Sequence, residues 1–152
     1  LACPAMDNPF DASVQRYWDQ RHRLFARFDE GVRIDRQSLF SVKPEAEALE
    51  VADRTRADVV VDAFAGVGGS AIGFARRGKR VIAIELDPDR LEMARHNARL
   101  YGVEDRIEFI AADAPDVPPP VAASGSSTHL ALPPHCPLST PCAAPSSQHP
   151  LL

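Results

Sequence analysis

The sequence is poor in the residues that mark several classes of protein. It holds three cysteines among 152 residues, and an odd number without regular spacing argues against a disulfide framework. Histidines flank Cys136 and Cys142, but the spacing matches no familiar zinc site, so we expect no bound metal. No apolar run approaches the roughly 20 residues of a membrane span, and no signal-peptide pattern opens the chain. We therefore expect no membrane association.

Charge is unevenly distributed along the chain. From Ala114 onward the sequence has one acid, Asp116, and no lysine or arginine, while proline, serine and alanine dominate. Such a segment cannot bury enough apolar surface to offset its ordering entropy. We therefore predict a disordered tail at 114–152 and a disordered leader at 1–12, which leaves a folding unit of about 100 residues.

The net charge of −4 gives no general sign of a nucleic-acid partner, but residues 13–43 are locally basic. Seven basic residues there face four acidic ones. This region could meet phosphates, or it could be a solvated helix face.

Residues 13–57 are predicted to form a helical N-terminal extension. Apolar residues at helical spacing indicate one helix from an N-cap at Ser13 to Phe28, ended by Gly31. We expect 32–42 to be extended or irregular. Pro44 then suits the first position of a second helix that ends near Arg56.

Residues 58–113 alternate between strand and helix patterns. Short β-branched runs at 58–63, 80–85 and 107–110 are typical of buried parallel strands. Between them we predict two helices, the first at 70–77 and the second starting at Asp87-Pro88. This order predicts an α/β fold, the N-terminal half of a doubly wound, Rossmann-like parallel sheet. Three strands would leave one sheet edge uncovered.

Three acids follow the three predicted strands: Asp62, Glu85 and Asp113. Right-handed crossovers place the carboxyl ends of such strands at one edge of the sheet. Glu85 comes roughly twenty residues after a glycine turn, the spacing at which an acid reaches a ribose diol. Asp62 could hold a cationic amino group and Asp113 an adenine amine. Alternatively, Asp62 or Asp113 could be a simple turn residue.

The sequence of the glycine turn distinguishes between two kinds of cofactor. Its pattern is Asp62-x-Phe64-x-Gly66-x-Gly68-Gly69, which lets the backbone approach a ligand closely. Asp62 would repel a pyrophosphate but would attract a charged methionine tail. We therefore predict S-adenosyl-L-methionine as the cofactor, and a nicotinamide-dependent oxidoreductase is the alternative from another class.

Aromatic residues at 17–28 could form a platform for stacked bases. Tyr17, Trp18, Phe25 and Phe28 recur at helical spacing, however, and this spacing is more typical of core residues. Arg16 could touch a phosphate or form a surface ion pair.

The amino-acid sequences of several segments resemble those of the trimethylguanosine synthase family, the RNA cap guanine-N2 methyltransferases. The resemblance covers about two thirds of the chain and is carried by Arg16–Arg21, Leu24–Gly31, Phe40–Glu45, Val60–Gly69, Val81–Pro88 and Ile107–Asp113. It implies a class I methyltransferase fold and methyl transfer from S-adenosyl-L-methionine to N2 of the 7-methylguanosine cap of small nuclear and nucleolar RNAs. It further implies a monomer in the nucleus (nucleolus or nuclear bodies), with the cytoplasm as a second location.

The resemblance also implies roles for individual residues. Cofactor contacts would fall on Asp62, Phe64, Gly66, Gly68, Gly69, Glu85 and Asp113. A segment that closes over the cofactor would include Phe25, Ser41, Val42 and Pro44. Arg16 would lie near the cap phosphates.

Two departures from the family pattern affect the expected activity. Lys43 stands where the family usually has threonine, and the family's Ser-Pro-Pro-Trp motif is absent downstream of Asp113. The tryptophan of that motif stacks on the methylated guanine, so the catalytic residues stay unknown. We expect a chain truncated before the motif and weakly active or inactive alone. Alternatives are another class I RNA or DNA methyltransferase and an inactive cofactor-binding module.

Overall fold

The computed structural model of the chain describes residues 6–116 and 129–132. Its N-terminal part consists of short helices: a 3-10 turn at Ala12–Val14, α1 at Gln15–Trp18, α2 at Arg21–Leu24, a 3-10 turn at Phe28–Glu30 and α3 at Ser38–Ser41. Longer elements follow: α4 at Glu45–Arg54, β1 at Val59–Asp62, α5 at Gly69–Arg76, β2 at Arg80–Glu85, α6 at Pro88–Leu100 and β3 at Ile107–Ala111. Two 3-10 turns, Glu104–Arg106 and Ala114–Asp116, flank β3, and β4 is His129–Leu132.

The prediction of one continuous helix from Ser13 to Phe28 is wrong. The cap is Asp11, whose carboxylate accepts a hydrogen bond of 3.0 Å from the amide of Ser13. The helix breaks after Trp18, and Phe25 is extended, with φ −142° and ψ 115°. Because of this break, the side chains of Trp18, Phe25 and Phe28 point into one core, where all three are nearly fully buried. Tertiary burial therefore overrides the local helical pattern.

The region 32–42 also differs from the prediction, because it contains α3. Asp35 precedes this short helix and accepts a hydrogen bond of 2.7 Å from the amide of Ser38, the first helical residue. Pro44 does not occupy the first helical position but precedes α4, with ψ 140°. The two cap predictions elsewhere are confirmed: Gly31 is left-handed at φ +115°, and the Asp87 carboxylate accepts from the amide of Asp89 at 2.9 Å.

The predicted α/β sheet is confirmed, with one addition. Strands β1, β2 and β3 are parallel, and β4 pairs antiparallel with β1, so the strand order is β3-β2-β1-β4. Strand β4 therefore covers β1, while β3 forms the other edge of the sheet within the described residues. Strand β4 and the turn at Ala114–Asp116 fall in the segment predicted to be a disordered tail. The rest of that tail, and leader residues 1–5, lie outside the described residues.

The helical extension and the sheet share a hydrophobic core. Its buried members include Trp18, Phe25 and Phe28 of the extension together with Val60, Phe74 and other residues of the α/β part. The predicted core role of Trp18, Phe25 and Phe28 is confirmed, and Tyr17 is partly buried beside them. No helix in 6–116 is long and apolar enough to cross a membrane.

Two polar residues connect the extension to α6. Asn97 is fully buried; its Nδ2 donates to the carbonyls of Arg33 (2.9 Å) and Val67 (3.0 Å), and its Oδ1 accepts from the Arg33 amide (2.8 Å). Glu45 accepts from the amide of Ala26 (2.8 Å) and from the Tyr101 hydroxyl (2.7 Å). These bonds fix the extension beside the carboxyl ends of β1 and β2, where the candidate site lies.

Candidate cofactor site

A cleft of about 430 Å³ lies at the carboxyl ends of β1 and β2. One wall comes from the ends of the two strands and the turn that leads into α5, and the other comes from residues 37–43 of the extension. This edge of the sheet is where the sequence predicted a ligand, because open α/β sheets bind ligands at the carboxyl ends of their strands.

Asp62 is a buried acid in the wall of the cleft. It ends β1 and is 2% exposed. Burial raises the pKa of this carboxyl to about 7, although the backbone hydrogen bond from Phe64 and the charge of Lys43 both lower it. Neighbouring Glu85 raises it further. A cationic ligand group beside Asp62 would favour its ionised form and would be bound in return.

The glycine turn lies very close to α6 on one side and to the extension on the other. Gly68 has φ +93°, and a Cβ there would lie 3.1 Å from the Cβ of Ala94. Gly69 begins α5, and a Cβ there would lie 2.6 Å from Cγ2 of Val42. The two glycines therefore let α5 pack closely against α6 and against the extension.

Glu85 ends β2 and supports the same turn. Its Oε2 accepts a hydrogen bond of 2.7 Å from the amide of Gly66, and its Oε1 accepts one of 3.0 Å from the amide of Asp87. A carboxylate has about four lone-pair positions, so Glu85 can accept further bonds from a diol. Phe64, which is 66% exposed, offers apolar surface to the cleft.

Arg90 on α6 holds the extension over the cleft. Its Nε donates to Oδ2 of Asp35 at 2.7 Å, and its Nη2 donates to Oε1 of Gln37 at 2.8 Å. Partial burial raises the pKa of the Asp35 carboxyl, but the hydrogen bonds from Ser38 and from Arg90 together lower it below its ordinary value. The charge pair therefore positions the segment that contains α3.

Seven of the predicted site residues line the cleft: Asp62, Phe64, Gly66, Gly69, Glu85, Ser41 and Val42. Gly68 lies behind the turn, against Ala94. The other four predicted residues do not line the cleft. Phe25 is buried behind Gly69, and Pro44 lines two smaller cavities. Asp113 is exposed after β3, and the guanidinium of Arg16 lies 4.6 Å from the centre of the Tyr17 ring. The predicted contacts of these four residues stay predictions.

Several cleft residues were missed from the sequence, among them Gln37, Ser38, Ser70 and Arg90. Arg90 bonds to a partner 55 positions away, and no local pattern indicates such a pair. Lys43 also lines the cleft, although the sequence marked it as a departure from the family pattern. Within 6–116 and 129–132, no group of three or more His, Cys, Asp or Glu side chains could hold a metal ion.

The parallel sheet and the glycine turn between two acids define a class I methyltransferase fold. The protein-family model for RNA cap guanine-N2 methyltransferases matches residues 57–135 of the chain. The chain is 40% identical over 121 residues to the trimethylguanosine synthase of Schizosaccharomyces pombe, covering 76% of this chain and 48% of that protein. The chain therefore belongs to the RNA cap guanine-N2 methyltransferase family, and the resemblance seen in the sequence is confirmed.

Other relatives match over shorter stretches. The trimethylguanosine synthase of Saccharomyces cerevisiae is 33% identical over 98 residues, which is 60% of this chain and 31% of that protein. A solved structure of an RNA methyltransferase from Salinibacter ruber in complex with S-adenosyl-L-homocysteine is 34% identical, covers 57% of this chain and 53% of that chain, and has a TM-score of 0.43. The chain thus spans half or less of the length of the two trimethylguanosine synthases from Schizosaccharomyces pombe and Saccharomyces cerevisiae.

Proposed function

We propose that this chain forms the cofactor-binding part of an S-adenosyl-L-methionine-dependent RNA cap guanosine-N2 methyltransferase. The observation that carries the proposal is the pairing of two acids across one glycine turn: Asp62 is buried at the end of β1, and Glu85 at the end of β2 bonds to the amide of Gly66. Family membership supplies the class of reaction.

The residues of the cleft fit this cofactor in charge and in size. Its volume of about 430 Å³ lies within the range usual for small-molecule sites. Asp62 would hold the α-ammonium group, since a cation beside it offsets the cost of its buried charge. Glu85 would accept hydrogen bonds from the ribose diol, and the glycine turn leaves room for the backbone to approach the ligand.

The chemistry of the transfer assigns separate tasks to the cofactor and the protein. When bound, the cofactor supplies an activated methyl group and a neutral thioether leaving group. The exocyclic amine of guanine is a weak nucleophile because its lone pair is delocalised, so the protein must mainly align it with the methyl group. In this chain Asp62, Glu85 and the turn would fix the methyl donor. The sequence lacks the family's Ser-Pro-Pro-Trp motif, so the guanine would be poorly positioned.

The substrate is proposed from the names of the relatives, and the location from the resemblance of the sequence to the family. Proteins named trimethylguanosine synthase are the matches that best support capped RNA as the partner. We propose nuclear residence and a monomer from the resemblance of the sequence to the family. The chain alone is expected to bind cofactor and to transfer methyl groups to a cap weakly or not at all.

Two measurements test the proposal. Calorimetric titration of the chain with S-adenosyl-L-homocysteine should show binding at one site, and titration with NADH should show none. A methyl-transfer assay on a 7-methylguanosine cap dinucleotide, with an unmethylated guanosine cap as control, should show little turnover. Absence of S-adenosyl-L-homocysteine binding would refute the proposed cofactor, and rapid turnover would refute the expected inactivity.

A further inference from the structure

The extension carries a row of four side chains that contact one another in the order Arg36, Phe40, Tyr17 and Arg16. The guanidinium of Arg36 lies 5.6 Å from the centre of the Phe40 ring. The rings of Phe40 and Tyr17 meet edge to face, with their centres 4.6 Å apart. The guanidinium of Arg16 lies 4.6 Å from the centre of the Tyr17 ring and donates a hydrogen bond to its hydroxyl. We call these four residues the stacked row.

The ring of Phe40 leaves part of its surface open to solvent. Phe40 is 46% exposed, whereas Phe25 and Phe28 of the same extension are 2% and 1% exposed. A single exposed apolar side chain is common in soluble proteins. An exposed ring beside a guanidinium group has a more specific use, because unpaired nucleic-acid bases stack on aromatic faces and on guanidinium planes. The stacked row therefore has the chemistry of a platform for an unpaired base.

The charge around the stacked row complements a phosphate chain. Residues 13–43 hold seven basic and four acidic residues, although the whole chain has a net charge of −4. Within the row, Arg36 pairs with Asp11 at 2.6 Å, which compensates its charge. Arg16 is exposed and forms no ion pair among residues 6–116 and 129–132. Arg16 therefore adds positive charge at one end of the row, where it can attract a phosphate.

The stacked row lies next to the cleft along the chain. Arg36 is followed directly by Gln37, and Phe40 is followed directly by Ser41. Both of these following residues line the cleft, while Phe40 does not. The segment is held in place by the ion pair between Asp35 and Arg90. An RNA chain whose capped end occupied the cleft would therefore have its next nucleotides within reach of the row.

We propose that the stacked row binds an unpaired RNA nucleotide that follows the cap, with its base against the ring of Phe40 and a phosphate near Arg16. This inference rests on the proposed function and adds to it a second contact with the RNA. Every base has a π face, so the row would prefer unpaired RNA over duplex RNA without reading the sequence.

Fluorescence anisotropy on the 152-residue chain tests the inference. The probe is a short single-stranded oligoadenylate with a 7-methylguanosine cap, labelled at its 3′ end. Phe40→Leu keeps an apolar side chain against Tyr17 but lacks the aromatic ring, and it should weaken binding of this probe by about tenfold. Phe40→Tyr keeps the ring and should retain most of the affinity. Calorimetry should show the same affinity for S-adenosyl-L-homocysteine in both variants, because Phe40 does not line the cleft.

Two controls separate base stacking from a general effect. Met6→Ala removes an apolar side chain that is 45% exposed and lies outside the stacked row, and it should change neither affinity. The same capped strand annealed to its complement should bind more weakly, and Phe40→Leu should not weaken it further, because paired bases cannot stack on the ring.

Several outcomes would overturn the inference. An unchanged affinity of Phe40→Leu for the single strand would do so, and so would an equal loss for the single strand and the duplex. A parallel loss of RNA and S-adenosyl-L-homocysteine binding would mean that the cleft wall had moved, and it would overturn the inference too. If the unaltered chain bound S-adenosyl-L-homocysteine but no RNA, the inference would fall while the proposed cofactor site would stand. Failure to bind either probe would overturn both.

Discussion

Asp62→Asn should stabilise the ligand-free chain and at the same time abolish much of its cofactor affinity. The substitution keeps the shape of the side chain and its ability to accept the hydrogen bond from Phe64, but it removes the buried charge. Because the folded-state pKa is about 7 and the ordinary value is 3.8, the native chain binds more protons than the unfolded chain between these values. The stability that this proton provides is complete below the ordinary pKa and is lost as the pH rises through about 7.

The magnitude follows from the same difference. The difference between a pKa of about 7 and the ordinary 3.8 corresponds to about 4 kcal/mol. This is the most by which the asparagine can raise the free energy of unfolding above pH 8. Urea unfolding at pH 8 should therefore show a higher free energy of unfolding for Asp62→Asn than for the unaltered chain, and this gain should shrink as the pH is lowered to 5. Calorimetry at pH 8 should show that the variant binds S-adenosyl-L-homocysteine at least about tenfold more weakly, because a charge-assisted hydrogen bond to the α-ammonium group is lost.

Asp58→Asn is the matched control, since Asp58 is exposed just before the start of β1, at the far end of the strand from the cleft. It should change neither stability nor affinity. If Asp62→Asn destabilised the chain equally at both pH values, or bound S-adenosyl-L-homocysteine as tightly as the unaltered chain, the reasoning about the buried carboxylate would be wrong.

Two further substitutions test the frame around the cleft. Asn97→Leu leaves three backbone groups of Arg33 and Val67 without their partner and should lower the free energy of unfolding by about 3 kcal/mol in urea titrations. A loss below about 1 kcal/mol would mean that these groups find other partners. Gly69→Ala puts a methyl group 2.6 Å from Val42 and should displace the wall at 41–43. It should therefore weaken S-adenosyl-L-homocysteine binding in calorimetry, and an unchanged dissociation constant would show that this wall does not shape the site.

The parts of the fold that were predictable are those with local signals. Strands β1 and β2 are continuous apolar runs, as buried parallel strands are. The Asp87-Pro88 pair marks the start of α6 by cap chemistry that acts within a few residues. Asp62 and Glu85 were placed in one cleft correctly because topology alone brings the ends of neighbouring parallel strands together.

The parts that were not predictable depend on distant contacts. The helix expected at 13–28 breaks so that Phe25 can enter a core shared with the sheet, and no local pattern signals this. Arg90 and Asp35 pair across 55 positions. Asp113 follows β3, one strand further from the cleft than β2, so its predicted contact with the cofactor stays a prediction. Strand β4 lies in a segment whose composition alone indicated disorder.

The shared core has a consequence for how the chain can be divided. A cut near residue 57 would separate two stretches of sequence, but it would expose the aromatic residues of the first and the apolar faces of β1 and α5 that contact them. Neither piece would keep a complete interior of its own. The helical extension is therefore not an accessory that can be removed or exchanged to study the sheet by itself, and protein variants of this chain are best made by point substitution.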